Sequence, residues 1–100
     1  MSKSGNEHTS QTPTAFSLAQ NSPNPFNPST TIVFELPEAV SIRLMVFDLH
    51  GKLVKELVSQ DLPAGRYETS FDASQLGSGI YVYRLKAGQF TQTRKMMLIK

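Results

Sequence analysis

One hundred residues with 39% apolar and 18% charged side chains suit one small globular domain and are too apolar for a disordered chain. The net charge is +2, and Arg94–Lys95 is the only adjacent basic pair, so the concentrated basic face that nucleic-acid binding needs is missing. With no cysteine, a disulfide framework and thiolate chemistry are both excluded, and no apolar run approaches the ~20 residues of a membrane-spanning helix.

The opening "MSKSGNEHTSQTPT", residues 1–14, has no apolar stretch of the kind a secretory signal carries. It reads as a flexible lead-in or linker remnant. The expectation is either a cytoplasmic protein or a piece whose parent carries its signal elsewhere. Residues 15–100 read as β structure throughout.

"FSLAQ", from Phe16 to Gln20, alternates apolar residues at Phe16 and Leu18. "NSPNPFNPST", residues 21–30, follows. The residues before Pro23, Pro25 and Pro28 are pushed toward extended geometry. Asn24 and Asn27 are expected to bond back to nearby backbone, giving a stiff entry turn with Phe26 as a plug into the core. "TTIVFEL" and "VSIRLMVFD" each carry apolar residues at period two, separated by a turn at Pro37. "DLHGK", residues 48–52, is a hairpin signal: Asp48 can cap the turn with its carboxylate, and Gly51 can take a positive φ at the exit. "KLVKELV" has partly helical spacing, but only seven residues lie between turn signals, so strand is favoured over residues 52–58.

"DLPAG", residues 61–65, is the next turn, and "RYETSF" places Tyr67, Thr69 and Phe71 on one face. After the loop "DASQLGSG", "IYVYRLK" sets Tyr81, Tyr83 and Leu85 against Ile80, Val82 and Arg84, so both of its faces are expected to be partly covered. "AGQ" turns the chain into "FTQTRKMMLIK". Its unbroken apolar run Met96–Ile99 predicts either a final strand buried on both faces or partly covered by its neighbour, or an edge that another protein captures by strand addition. The pattern as a whole predicts an all-β, seven-stranded antiparallel immunoglobulin-like β-sandwich.

Little in this chain points to chemistry. His8 falls in the lead-in and His50 in the hairpin turn, too few ligands for a metal. Asp48 and His50 point apart in a tight turn, and no serine stands in a nucleophile elbow. The carboxylates are spread over strand ends rather than paired. Tyr67, Phe71, Tyr81 and Tyr83 could form a sugar-binding stripe, although core packing is favoured in so small a sandwich. No catalytic site, cofactor or small-molecule substrate is therefore expected.

In combination, "NSPNPFNPSTTIVFELPE", "IRLMVFDLHGKLVKEL", "LPAGRYETSFDASQLGSGIYVYRLKAG" and "TRKMMLIK" resemble the type A C-terminal sorting domain of type IX (Por) secretion-system cargo proteins. The resemblance covers about residues 18–100. It implies a delivery role for a larger secreted protein of Bacteroidetes-type bacteria, fused N-terminally as cargo. It also implies recognition by an outer-membrane translocon, removal by a sortase-like protease, and release or cell-surface attachment of the cargo.

By the same resemblance, recognition falls on Lys95, Met96, Met97, Leu98, Ile99 and Lys100. Turn glycines fall on Gly51, Gly65 and Gly79, and the entry motif on Asn24, Pro25, Phe26, Asn27 and Pro28. Cleavage is expected in or before Gln11–Gln20. The immunoglobulin-like domain of flagellar hook-cap proteins shares part of the pattern and would make the chain an assembly module. A carbohydrate-binding accessory domain is the other alternative.

Overall fold

Period-two alternation becomes seven antiparallel strands and no helix in the computed structural model, which describes residues 12–100. They are β1 (Ser17–Leu18), β2 (Ser29–Leu36), β3 (Val40–Phe47), β4 (Leu53–Leu62), β5 (Gly65–Asp72), β6 (Gly79–Ala87) and β7 (Phe90–Leu98). One sheet runs β1-β2-β5 and the other β4-β3-β6-β7, so β7 and β4 are the edges of the larger sheet. This is the expected immunoglobulin-like sandwich. His8, and the part of the lead-in up to residue 11, lie outside the described residues.

The core is built from alternate residues of facing strands. Thr30, Ile32, Phe34 and Leu36 of β2 point inward, against Ile42, Leu44 and Val46 of β3 and Tyr83, Leu85 and Ala87 of β6. Each fully buried Leu, Ile or Phe contributes roughly 1.5–3 kcal/mol over its exposed state. β6 lies between β3 and β7, and its outward Ile80 and Val82 are half-buried.

One element differs from the sequence reading. β4 extends through Leu62 rather than stopping near residue 58, because its ladder with β3 continues to the pair Val40–Leu62; Pro63, with no N–H to donate, then ends it. Register shifts at Leu44/Met45 and Val46/Phe47 bend this edge, as bulges commonly do at sheet margins. Of the alternatives for the apolar run Met96–Ile99, burial on both faces is excluded and partial cover is found: Met96 and Leu98 are buried, while Met97 is 41% and Ile99 49% exposed.

Tyrosine hydroxyls tie strand starts to the turns before them. Tyr81 donates to the Gly77 carbonyl (2.7 Å) and Tyr67 to that of Pro63 (2.6 Å), each four residues upstream. The first sits at the start of β6 in the manner of the tyrosine corner of immunoglobulin-like domains. Tyr83 reaches further: its hydroxyl donates to Ala19 O (2.7 Å) and accepts from Asn21 N–H (2.8 Å). The ring is fully buried, so it is unavailable to a sugar.

Burial pushes the Tyr83 phenol above its ordinary value near 10, only partly opposed by the Asn21 N–H and the charge of Arg94. A raised folded-state value favours the protonated fold. Its contribution is therefore complete below about pH 10 and is lost as pH rises through the higher folded value. Tyr83→Phe is expected to lower stability at neutral pH by about 1–3 kcal/mol, by orphaning two backbone groups. It should also remove part of the stability loss above about pH 10, read from urea denaturation at pH 7, 9 and 10.5.

Candidate functional site

The proline-rich segment and the end of the chain, separate in sequence, form one structure. Asn21, 3% exposed, organises the segment. Its Nδ2 donates to Pro23 O (3.1 Å) and Thr30 Oγ1 (3.0 Å), and its Oδ1 accepts from Gln20 Nε2 (2.7 Å). Thr30 Oγ1 in turn donates to Pro23 O (2.8 Å), so this buried polar group is satisfied throughout. The peptide bonds preceding Pro23, Pro25 and Pro28 are cis.

Phe26 carries the segment onto the tail. Its side chain is 1% exposed, with its ring 6.1 Å from that of Phe71. Its N–H donates to Met97 O (2.9 Å) and its carbonyl accepts from Ile99 N–H (3.0 Å), a parallel bridge beside Leu98. Asn24 Oδ1 accepts the Met97 N–H (3.0 Å), and Gln20 Nε2 donates to Lys95 O (2.7 Å). The expectation that Asn24 bonds to nearby backbone is corrected: its partner lies 73 residues away. Asn21 makes the local bonds instead. Pro28 O accepts from Ala73 N–H (2.8 Å), fixing the far end of the motif, while Pro25 and Asn27 are exposed.

The tail is therefore an edge strand whose free edge is already occupied from Lys95 to Ile99. Strand addition there would have to displace the Gln20–Phe26 segment. The pleat divides the six tail residues. Met96 and Leu98 fill the core, whereas Lys95, Met97 and Ile99 face solvent. Lys100 is bound down: its ammonium donates to Ser74 O and Leu76 O (2.7 Å each), and its N–H to Ser78 Oγ (3.0 Å). A lysine holding two carbonyls fastens the β5–β6 loop to the chain end. Gly79, at the start of β6, pairs in register with Leu98.

The remaining motif residues lie away from this joint. Gly65 opens β5 beneath the Tyr67 ring, which stacks on Phe34 at 5.4 Å. In the β3–β4 hairpin, Asp48 Oδ1 accepts the N–H groups of Lys52 (3.0 Å) and His50 (2.9 Å), and Gly51 takes φ 83°. The Lys52 bond is the main reason the Asp48 carboxyl lies below the ordinary carboxylate range. Asp72 is lowered similarly, chiefly by the Ser74 N–H. Both perturbations have turn hydrogen bonds as their main cause. Among the described residues, no group of three or more His, Cys, Asp or Glu could hold a metal ion.

Gln20, Asn21 and Thr30 are missed by sequence reading. The available signal was weak: polar side chains flanking a proline-rich turn, with no indication that one would be buried.

The family model described as the secretion system C-terminal sorting domain matches residues 22–100, so the chain belongs to that family. The protein is accordingly a C-terminal sorting signal of type IX secretion, marking proteins for export to the cell surface or beyond. Among solved structures it resembles dimeric latent PorU from Porphyromonas gingivalis, at 18% identity and a TM-score of 0.63. The match covers 80% of this chain and 9% of that one, and at this identity it speaks to the fold alone. No curated protein matches the chain.

Phe26→Ala removes a buried ring and loosens both backbone bonds to the tail. It is expected to destabilise the domain by about 3–5 kcal/mol in urea denaturation. Amide exchange at Ile99, whose N–H bonds to Phe26 O, should accelerate more than exchange in the middle of β2.

Proposed function

We propose that the secretion apparatus reads the folded tail through the outward side chains of Lys95, Met97 and Ile99. Met96, Leu98 and Lys100 hold that strand in place. The observation that carries this reading is the joint itself. The Gln20–Phe26 segment occupies the strand edge, leaving side chains rather than backbone for a partner. The domain is then a substrate of the apparatus and performs no catalysis.

In this reading the cargo is fused N-terminally and a sortase-like protease separates it from the domain. Burial limits where that cut can fall. Leu18 is buried, Ala19 N–H bonds to Val33 O, and Phe16 stacks on Phe90 at 5.3 Å. Of the described residues before β1, Thr12, Thr14 and Ala15 are exposed. In this reading the cut falls at or before Ala15, because a protease docks an unpaired extended segment and residues 17–19 are already paired with β2. Brief proteolysis of the purified domain with a broad-specificity enzyme should leave a product beginning at or before Phe16, identified by mass. A first cut within residues 17–20 would contradict this placement.

The export test fuses residues 15–100 to a reporter carrying a periplasmic signal, in a bacterium with a type IX system. The reporter should reach the surface or the medium; retention in the periplasm would overturn the sorting role. Deleting Met96–Lys100 is a poor companion, since Met96 and Leu98 are core residues and their loss should unfold the sandwich. Met97→Asp with Ile99→Asp is the cleaner change. Both side chains are exposed, so the melting temperature should shift little while export falls by roughly tenfold or more, as when an interface anchor is lost.

A further inference from the structure

The outer face of the larger sheet carries an apolar stripe that the fold does not require. Residues directly opposed across an antiparallel ladder share a face. The registers Leu53–Phe47, Phe47–Val82 and Ile80–Met97 therefore place these five side chains on one outward surface, running from β4 to β7. Leu53 is 47% and Met97 41% exposed; Phe47, Val82 and Ile80 are half-buried. Leu49, 63% exposed, stands beyond the stripe in the β3–β4 turn. Scattered single apolar residues on a surface need no explanation, but a continuous band across a whole sheet does.

Cations predominate around this band. Arg84 lies over the Phe47 ring at 4.8 Å, leaving a guanidinium at the centre of the face. Lys95 opposes Val82 in register and Lys86 opposes Arg43. Two carboxylates share the face, both on β4. Glu56 pairs with Arg43 at 2.6 Å, and Asp61 accepts the Ser41 hydroxyl. Among the described residues, neither Lys86 nor Lys95 has a carboxylate partner. A second copy of this face would bring like charges together, so self-association is disfavoured. A lipid surface suits apolar groups gathered at a protruding tip or along one helix face. Here Leu53 and Met97 lie on opposite edges of the sheet, separated by three strand spacings or about 14 Å.

We infer that this stripe, from Leu53 to Met97, is a docking surface for a folded protein component of the export apparatus, one presenting an apolar patch with carboxylates set around it. The inference rests on the sorting role and extends it. The tail's Met97 becomes one end of a wider footprint whose other end, at Leu53, lies on a strand no tail motif includes. Leu53 and Val82 would fill the apolar patch, while Arg84 and Lys95 meet its carboxylates.

The test uses the same reporter fusion with its tail intact. Leu53→Glu is the primary variant because Leu53 is exposed and its replacement should leave the melting temperature nearly unchanged. Export is expected to fall roughly tenfold. Arg84→Glu should reduce export as well, and Arg84→Lys should largely restore it, since a partner carboxylate reads the charge. A photocrosslinking amino acid at position 53 should capture a protein partner in exporting cells, and Arg84→Glu should weaken that crosslink.

Normal export of both Leu53→Glu and Arg84→Glu overturns the docking surface while leaving the sorting role standing. Failure of the unaltered fusion to leave the periplasm overturns both. Sedimentation of the purified domain with phosphatidylglycerol vesicles, abolished by Leu53→Glu, would instead identify a membrane as the occupant and overturn the protein partner. Concentration-dependent dimerisation abolished by Leu53→Glu would overturn it in favour of a second copy.

Discussion

Phe26 joins what would otherwise be two loose ends of the molecule. Its ring is sealed in the core, and its backbone spans Met97 and Ile99, so the entry segment becomes a short parallel extension of the sheet at the free edge of β7. An open edge strand ending in an apolar run invites pairing with other chains. Here that edge is filled from within the domain by Phe26, by the Asn24 side chain and by Gln20. The buried Asn21–Thr30 knot holds the covering segment in shape, so the protection of the tail depends on hydrogen bonds made on the opposite sheet.

That constraint separates two roles within a run of six residues. The pleat sends Met96 and Leu98 inward and Lys95, Met97 and Ile99 outward, while Lys100 is taken up by the carbonyls of the β5–β6 loop. The outward set exists as a set only in the strand conformation. Truncating the tail would therefore remove part of the core. The apolar outer face of the larger sheet continues the outward set from Met97 across to Leu53.

Much of the fold was legible because period-two alternation and turn chemistry are local. Ile32, Phe34 and Leu36 announce an inward face without reference to any partner, and Asp48 with Gly51 specifies a hairpin within five residues. Where the reading fell short, the deciding contacts were distant. The reach of β4 to Leu62 depends on pairing with Val40, and the partner of Asn24 is Met97. Asn21 was overlooked because an asparagine among prolines looks like any turn residue until Thr30 and the hydroxyl of Tyr83 close around it.

The class of fold, the order and approximate extent of the strands, and the family are all written along the chain, since they follow from local alternation and from motifs at fixed spacing. Tertiary structure alone decided that the proline-rich entry and the terminal run form a single joint, and which tail side chains a partner can touch. It also decided that Phe47, Val82 and Leu53 share a face with Met97. The physical reason is that alternation states only that a residue faces one side or the other. Which strand lies beside it, and which segment covers its edge, depends on pairings between residues up to 76 positions apart, and no local pattern encodes those.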